Sequence, residues 1–304
     1  MKSAALLALA AAAAVNAGPT TTLRSQPRAT ELEPITVTGN AFFKGKDRFY
    51  VRGVDYQPGG ASGNVDPLAD TKVCMPDIVK FKKLGVNVIR VYSTDNTLDH
   101  DECMNALADA GIYVVLDANN PKYSINREHP APSYNAVYLQ SVFATIDAFA
   151  KYSNTMAFFS GNEVIHDLKN TTLAARYVKA TDRDMRAYIK ARKYRKMLVG
   201  YSAADVTTNR MQTAAYFNCG AEDERSDFFA FVRLPGLCPP AYCNANHTPN
   251  RTTTRGAAAT SSPPAGTPRS APSLATVSPF SCPSTAATPT SGTLARSSRS
   301  CTAT

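Results

Sequence analysis

The chain has no tryptophan in its 304 residues, and beyond Phe231 it also lacks Lys, Asp, Glu, Ile, Met and Gln. No apolar run approaches the ~20 residues that a bilayer-spanning helix needs, so no transmembrane helix is expected. No Gly-rich phosphate loop follows the first strand-like segment, and Gly59-Gly60 does not fit that fingerprint. Cysteine and histidine do not fall at the spacing of a zinc site, and no metal or other cofactor is expected. The formal charge of +9 would suggest nucleic acid if it were spread over the chain. Six of the 33 basic residues, however, are Arg beyond Phe231 with no acid to balance them, and the rest of the chain interleaves its bases with 24 acids. That distribution excludes a nucleic-acid partner.

What is present begins with Met1-Lys2-Ser3 and the short apolar run Ala4 to Val15, closed by the small residues of Val15-Asn16-Ala17. This order reads as a secretory signal peptide over 1–17, followed by a linker over 18–34. Export brings oxidising conditions. The seven cysteines, an odd number, then leave at least one thiol without an intrachain partner.

Composition changes abruptly after Phe231. Residues 232–304 are dominated by Ala, Pro, Ser, Thr and Arg, without helical or strand periodicity. Nothing there offsets the entropy of ordering, and a disordered tail is expected. An O-glycosylated stalk is one reading of such a composition. A shifted reading frame or unspliced intron is the other. It is favoured because Cys238, Cys243, Cys282 and Cys301 sit poorly in a stalk.

Between residues 35 and 231 strand-like and helix-like segments alternate. Phe49 to Asp55, the β-branched run Val86 to Tyr92, Ile112 to Asp117, Met156 to Ser160, Met197 to Ser202 and Asp227 to Phe231 read as strands. Met75 to Leu84, His100 to Ala110, Tyr134 to Tyr152 and Thr171 to Lys193 read as helices, with Gly111 ending the second. Repeated strand–helix units imply a parallel sheet with helical crossovers. Polar residues gather at the strand ends: Asp55-Tyr56-Gln57, Tyr92-Ser93, Asp117, Asn162-Glu163 and Ser202. That clustering predicts an α/β fold of (β/α)8 TIM-barrel type, whose active site lies on that face; a doubly wound sheet is the alternative. A barrel closes with eight strands, so this one reads as truncated after about the sixth.

Glu163 is the leading catalytic candidate. It follows an apolar strand, so it would stand at the mouth of the barrel. Glycoside chemistry needs a carboxylic acid to protonate the departing oxygen and then a carboxylate to activate the acceptor. The neighbouring Asn162 suits donation to a sugar 2-hydroxyl. By the dipeptide alone, a solvated loop Glu is the commoner case; the strand-end position decides for catalysis.

Here the sequence resembles a known family. Tyr50-Val-Arg-Gly-Val-Asp-Tyr-Gln-Pro-Gly-Gly60, Val88-Ile-Arg-Val-Tyr92, Phe158-Phe-Ser-Gly-Asn-Glu-Val164 and Tyr216-Phe-Asn-Cys-Gly220 resemble, in order, the fungal β-1,3-glucanosyltransferases of cell-wall remodelling. The resemblance implies a (β/α)8 barrel, a retaining mechanism with two glutamates, and β-1,3-glucan chains as donor and acceptor. It implies Glu163 as acid/base and Gln57, Tyr92, Asp117 and Asn162 as donor-site polar residues. Tyr92 reads equally as a buried strand-end aromatic, Asp117 as an acid bonding nearby backbone, and Gln57 as a plain loop residue. The resemblance further implies a Cys74–Cys103 disulfide and a distant partner for Cys219. Asn170-Thr-Thr is a glycosylation sequon.

The departure from the family comes after Phe231. The family's Asp-Tyr-Ser-Trp-Cys type segment, its nucleophile motif of Ser-Glu-Tyr-Gly type and its apolar anchor signal have no counterpart, and no Glu follows Glu224. Asp205 is the nearest substitute, but it reads better as the N-cap of a helix at Val206-Thr207. The expectation is a secreted or cell-surface protein, monomeric, whose covalent step is lost. A catalytically dead glucan binder or misfolded truncation, aggregating through an open sheet edge, and a plain β-glucan hydrolase are the alternatives.

Overall fold

The computed structural model describes residues 30–60, 63–167, 171–204, 206–232 and 275–279. The expected signal peptide, most of the linker, Asn170, Asp205 and the four tail cysteines lie outside the described residues. Three short antiparallel strands come first: β1 (Ile35–Thr38), β2 (Ala41–Lys44) and β3 (Asp47–Phe49). Six parallel strands follow, interleaved with helices: β4 (Gly53–Asp55), α1 (Thr71–Leu84), β5 (Val88–Val91), α2 (Asp101–Asp109), β6 (Tyr113–Asp117), α3 (Pro130–Ser133), α4 (Ala136–Ala150), β7 (Thr155–Asn162), α5 (Ala175–Ala191), β8 (Leu198–Ala203), α6 (Arg210–Phe217) and β9 (Phe228–Val232). A last strand, β10 (Ala275–Pro279), pairs antiparallel with β9.

The alternation that the sequence shows sorts each strand's residues between two cores. Ile89, Val91, Val114, Leu116, Phe158, Val199 and Tyr201 face the helices. Val88, Tyr113, Val115, Ala157, Phe159, Leu198, Phe228 and Ala230 face inward and form one cluster. Parallel strands covered on both faces carry such continuous apolar runs, and every residue of β5 and β6 is buried. The sheet curls strongly. Arg90 on β5 reaches Ser202 on β8 at 3.0 Å, although three strand spacings in a flat sheet measure roughly 14 Å. At Gly200 the close approach to β9 leaves no room for a side chain: a Cβ there would meet the Phe228 carbonyl oxygen at 2.6 Å.

The first sheet closes the N-terminal end of this half-barrel. Ile35 and Phe42 join the inward cluster, Phe42 packs edge-on against Phe228 and Phe49 against Tyr113, and the Tyr113 hydroxyl donates to the Glu33 carbonyl at 2.6 Å. The strand expected from Phe49 to Asp55 is therefore two strands. Asn87 explains the break: its Oδ1 accepts from the Arg52 amide and its Nδ2 donates to the Tyr50 carbonyl, so these residues leave one sheet and enter the other.

Helix ends follow their capping residues. Asp70 accepts from the Lys72 amide to start α1, Asn135 accepts from the Tyr138 amide to start α4, and Gly85 ends α1 at φ 69°. The Cys74–Cys103 disulfide joins α1 to α2, as the resemblance implies, and Cys219 is disulfide-bonded as well.

Two expectations are corrected. The helix after β8 starts at Arg210 rather than at Val206. The tail, read as aperiodic, contributes β10, whose Cα atoms also come within 8 Å of β4, so the β9 edge is covered rather than open. The physical reason is general: the unpaired N–H and C=O groups of an edge strand accept any extended segment within reach.

Candidate active site

Arg90 is the centre of the polar cluster at the strand ends, and sequence reasoning passed over it. It lies at an inward position of β5, 6% exposed among apolar neighbours. Its Nη2 donates to both oxygens of Asp117 (2.9 and 3.0 Å) and to Asn162 Oδ1 (3.0 Å), and its Nε donates to Asp117 Oδ1 at 3.1 Å. The guanidinium carbon lies over two rings, 4.0 Å from the Tyr92 ring centre and 4.4 Å from that of Phe159. The available signal was a lone charge inside the run Val88-Ile-Arg-Val-Tyr92.

This one side chain gathers three of the four expected donor-site residues, Tyr92, Asp117 and Asn162. Gln57 stays apart: its carbonyl accepts the Gly60 amide, and its side chain makes no hydrogen bond among the described residues. Asp117 bonds a side chain rather than backbone, and both its oxygens are occupied by Arg90. Burial pushes the Asp117 carboxyl up to about 6 against the pull of Arg90, with Asp55 and Glu163 adding to the rise. Arg90 itself is held above its ordinary value, since its acidic neighbours outweigh the burial that opposes its charge. Burial likewise raises Asp55, whose carboxylate faces the Tyr92 hydroxyl without a hydrogen bond of good geometry.

Asn162 ends β7 with its amide orientation fixed. Its Oδ1 accepts from Arg90 Nη2 and from Ser202 Oγ at 2.9 Å. Two donors on that atom assign it as oxygen, which turns the Nδ2 donor away from the network. Asn162 and Asn119 line a cavity of ≈ 370 Å³ with Arg127 and Glu128.

Glu163, half-buried, follows in the left-handed region at φ 50°. An L-residue with a Cβ pays a steric cost there, and such strain gathers at functional sites. The turn is clamped from three sides. The Glu163 amide donates to the Ser202 carbonyl at 2.8 Å, Arg127 Nη2 donates to the Glu163 carbonyl at 3.0 Å, and the Ile165 amide donates to the Tyr201 hydroxyl at 3.0 Å. Arg127, from the loop after β6, is a second residue that no sequence motif singles out.

A sequence profile described as glucanosyltransferase (glycoside hydrolase family 72) matches residues 25–238. The chain belongs to this glucanosyltransferase family. Among curated members, it is 64% identical over 224 residues to 1,3-beta-glucanosyltransferase gel1 of Aspergillus fumigatus, covering 74% of this chain and 49% of that one. It is 60% identical over 203 residues to gas4 of Schizosaccharomyces pombe, covering 66% and 44%. The structure of Saccharomyces cerevisiae Gas2p in complex with laminaritriose and laminaritetraose superposes with a TM-score of 0.62 at 40% identity, over 66% of this chain and 46% of that one. The chain thus spans about half the length of the curated relatives it matches. Among its described residues no helix is long and apolar enough to cross a membrane.

Proposed function

We propose that this chain carries the proton-transferring half of a β-1,3-glucanosyltransferase site, exported to act on cell-wall β-1,3-glucan as donor and acceptor. The observation that carries the reading is the fixed amide of Asn162 beside the clamped Glu163. With Oδ1 held by Arg90 and Ser202, Nδ2 is left to donate to a sugar 2-hydroxyl, a bond that strengthens as charge develops at the anomeric carbon. In a complete site Glu163 would protonate the departing glycosidic oxygen while a second carboxylate, not among these residues, bonds the anomeric carbon, and would then take the proton of the incoming sugar hydroxyl as that carboxylate leaves. Asp117 acts through Arg90 rather than on the sugar, because it is buried and both its oxygens face the guanidinium. Tyr92, pressed on the guanidinium, supplies an apolar wall and a hydroxyl at the rim, and Gln57 serves the donor side if the glucan reaches its loop.

Retaining transfer also needs a nucleophilic carboxylate ~5–5.5 Å from the acid/base. No Glu follows Glu224 in these residues, so we propose that they bind glucan without forming the covalent intermediate unaided. Incubation of the purified chain with a laminari-oligosaccharide, with the products sized, tests both statements. Binding without new products is expected. Longer products that vanish in Glu163→Gln would keep the acid/base and refute the missing nucleophile; turnover unchanged in Glu163→Gln would remove Glu163 from the mechanism. Shorter products alone would indicate hydrolysis.

A further inference from the structure

We propose that the groove between the loops after β5 and β6 is an extended subsite for a neutral glucan chain, so that one loop serves both the reacting sugar and the sugars beyond it. The inference rests on the glucan reading above and adds where the chain runs. The loop after β6 has two sides. Asn119 faces the small cavity shared with Asn162, whereas Asn120 and Tyr123 face a separate groove of ≈ 780 Å³, walled opposite by residues 93–98 and floored by Gln140, Ser141 and Ala144 of α4. That volume lies in the ordinary range of ligand sites, ~300–1,000 Å³.

The chemistry of the lining selects hydroxyls. Both carboxylates in the groove already accept hydrogen bonds, Asp66 through both oxygens and the exposed Asp95 through Oδ1 alone. Asp66 takes His100 Nε2 at 2.8 Å and the amides of Leu68 and Asp95, and Asp95 takes the amide and hydroxyl of Thr97. No arginine lines it, and the Lys122 ammonium sits 5.1 Å from the Tyr123 ring centre. Phosphate or carboxylate ligands would therefore find no guanidinium fork. What remains is a set of side-chain amides of both polarities. Asn120 Oδ1 accepts the Lys122 and Tyr123 amides, leaving its Nδ2 as donor; Asn96 Nδ2 is used on Ser141 and Thr145, leaving its Oδ1 as acceptor; Gln140 is exposed with both. Sugar hydroxyls, which donate and accept at once, match that mixture.

The walls are also rigid before any ligand arrives. Asn120 and Tyr123 exchange backbone hydrogen bonds at 3.1 Å in both directions, and Asn96 pins the opposite wall to α4. Little ordering remains to be done on binding.

Calorimetric titration of the purified chain with laminaritriose and laminarihexaose tests the proposal, using Gln140→Trp and Ala144→Trp to fill the groove from the surface of α4, and Asn120→Asp to remove a donor while keeping the turn acceptor. The wild type should bind the hexaose at least tenfold tighter than the triose. Both Trp variants, melting as the wild type does, should lose that gain and keep the triose affinity, and Asn120→Asp should lose part of it. Equal affinity for the two lengths in the wild type, or a gain that survives all three substitutions, would overturn the subsite while leaving the Glu163 site standing. Absence of binding to either oligosaccharide would overturn both.

Discussion

Arg90 Nη2 is shared between Asp117 on β6 and Asn162 Oδ1 on β7, so the charge that neutralises a buried acid is the same charge that orients the Asn162 amide. With Nη1 on Ser202, a single guanidinium sets the relative positions of four consecutive strand ends. Networks of this kind in a low-dielectric interior either rigidify a site fully or cost heavily when one member is lost.

Arg90→Met should therefore destabilise the protein by about 3–5 kcal/mol, the cost of leaving a buried acid without its partner. Arg90→Met with Asp117→Leu should recover much of that loss, because the buried Asp117 carboxylate is removed together with its partner, although the Asp55 carboxylate oxygens remain buried. Urea denaturation of the two variants checks this. A double variant as unstable as the single one would show that the pair is not the source of the stability.

Glu163 at φ 50° should make Glu163→Gly more stable than the wild type by about 1 kcal/mol, since glycine adopts this region without a steric cost. Arg127→Ala should weaken laminari-oligosaccharide binding several-fold by freeing the carbonyl end of the turn, with Arg127→Lys intermediate. A Glu163→Gly variant less stable than the wild type would mean that the turn is not strained.

Asp182 on α5 is buried, and burial lifts its carboxyl to about 6 despite the hydrogen bond donated by Ser226. A folded value above the unfolded one, ~3.9, makes the protonated folded form the favoured one. Its stabilising contribution is present in full below pH ~4 and is lost as pH rises through 6. Asp182→Asn should be more stable than the wild type at pH 7, by on the order of 1–3 kcal/mol, and should show a smaller loss of stability between pH 4 and 7. Thermal melts at the two pH values measure the slope; an unchanged slope would assign it to Asp117 or elsewhere.

The parallel strands were legible because their residues satisfy two requirements at once, β-branched propensity and burial on both faces, as in Val88 to Val91 and Tyr113 to Asp117. The strands β1 to β3 were not, since each is three or four residues long and their apolar positions matter only once the half-barrel exists beneath them. The position of Asn162 and Glu163 at the end of β7 could be read from the apolar run before them. Arg90 and Arg127 could not be assigned roles, because what defines them is the neighbour each meets across the fold: Asn162, 72 positions on, and Glu163, 36 positions on. Gln57 shows the converse. Its motif context singled it out, yet among the described residues no side-chain hydrogen bond draws it into the cluster.

The most direct measurement is a nuclear magnetic resonance titration of the isotopically labelled chain with laminaritetraose, following the Asn162 side-chain amide and the Glu163 backbone amide. Saturable shifts of both are expected, with the Asn162 response abolished in Ser202→Ala combined with Arg90→Lys, where Oδ1 loses its two anchors. Binding that leaves both signals unmoved would place the glucan elsewhere and contradict the assignment of this strand-end pair.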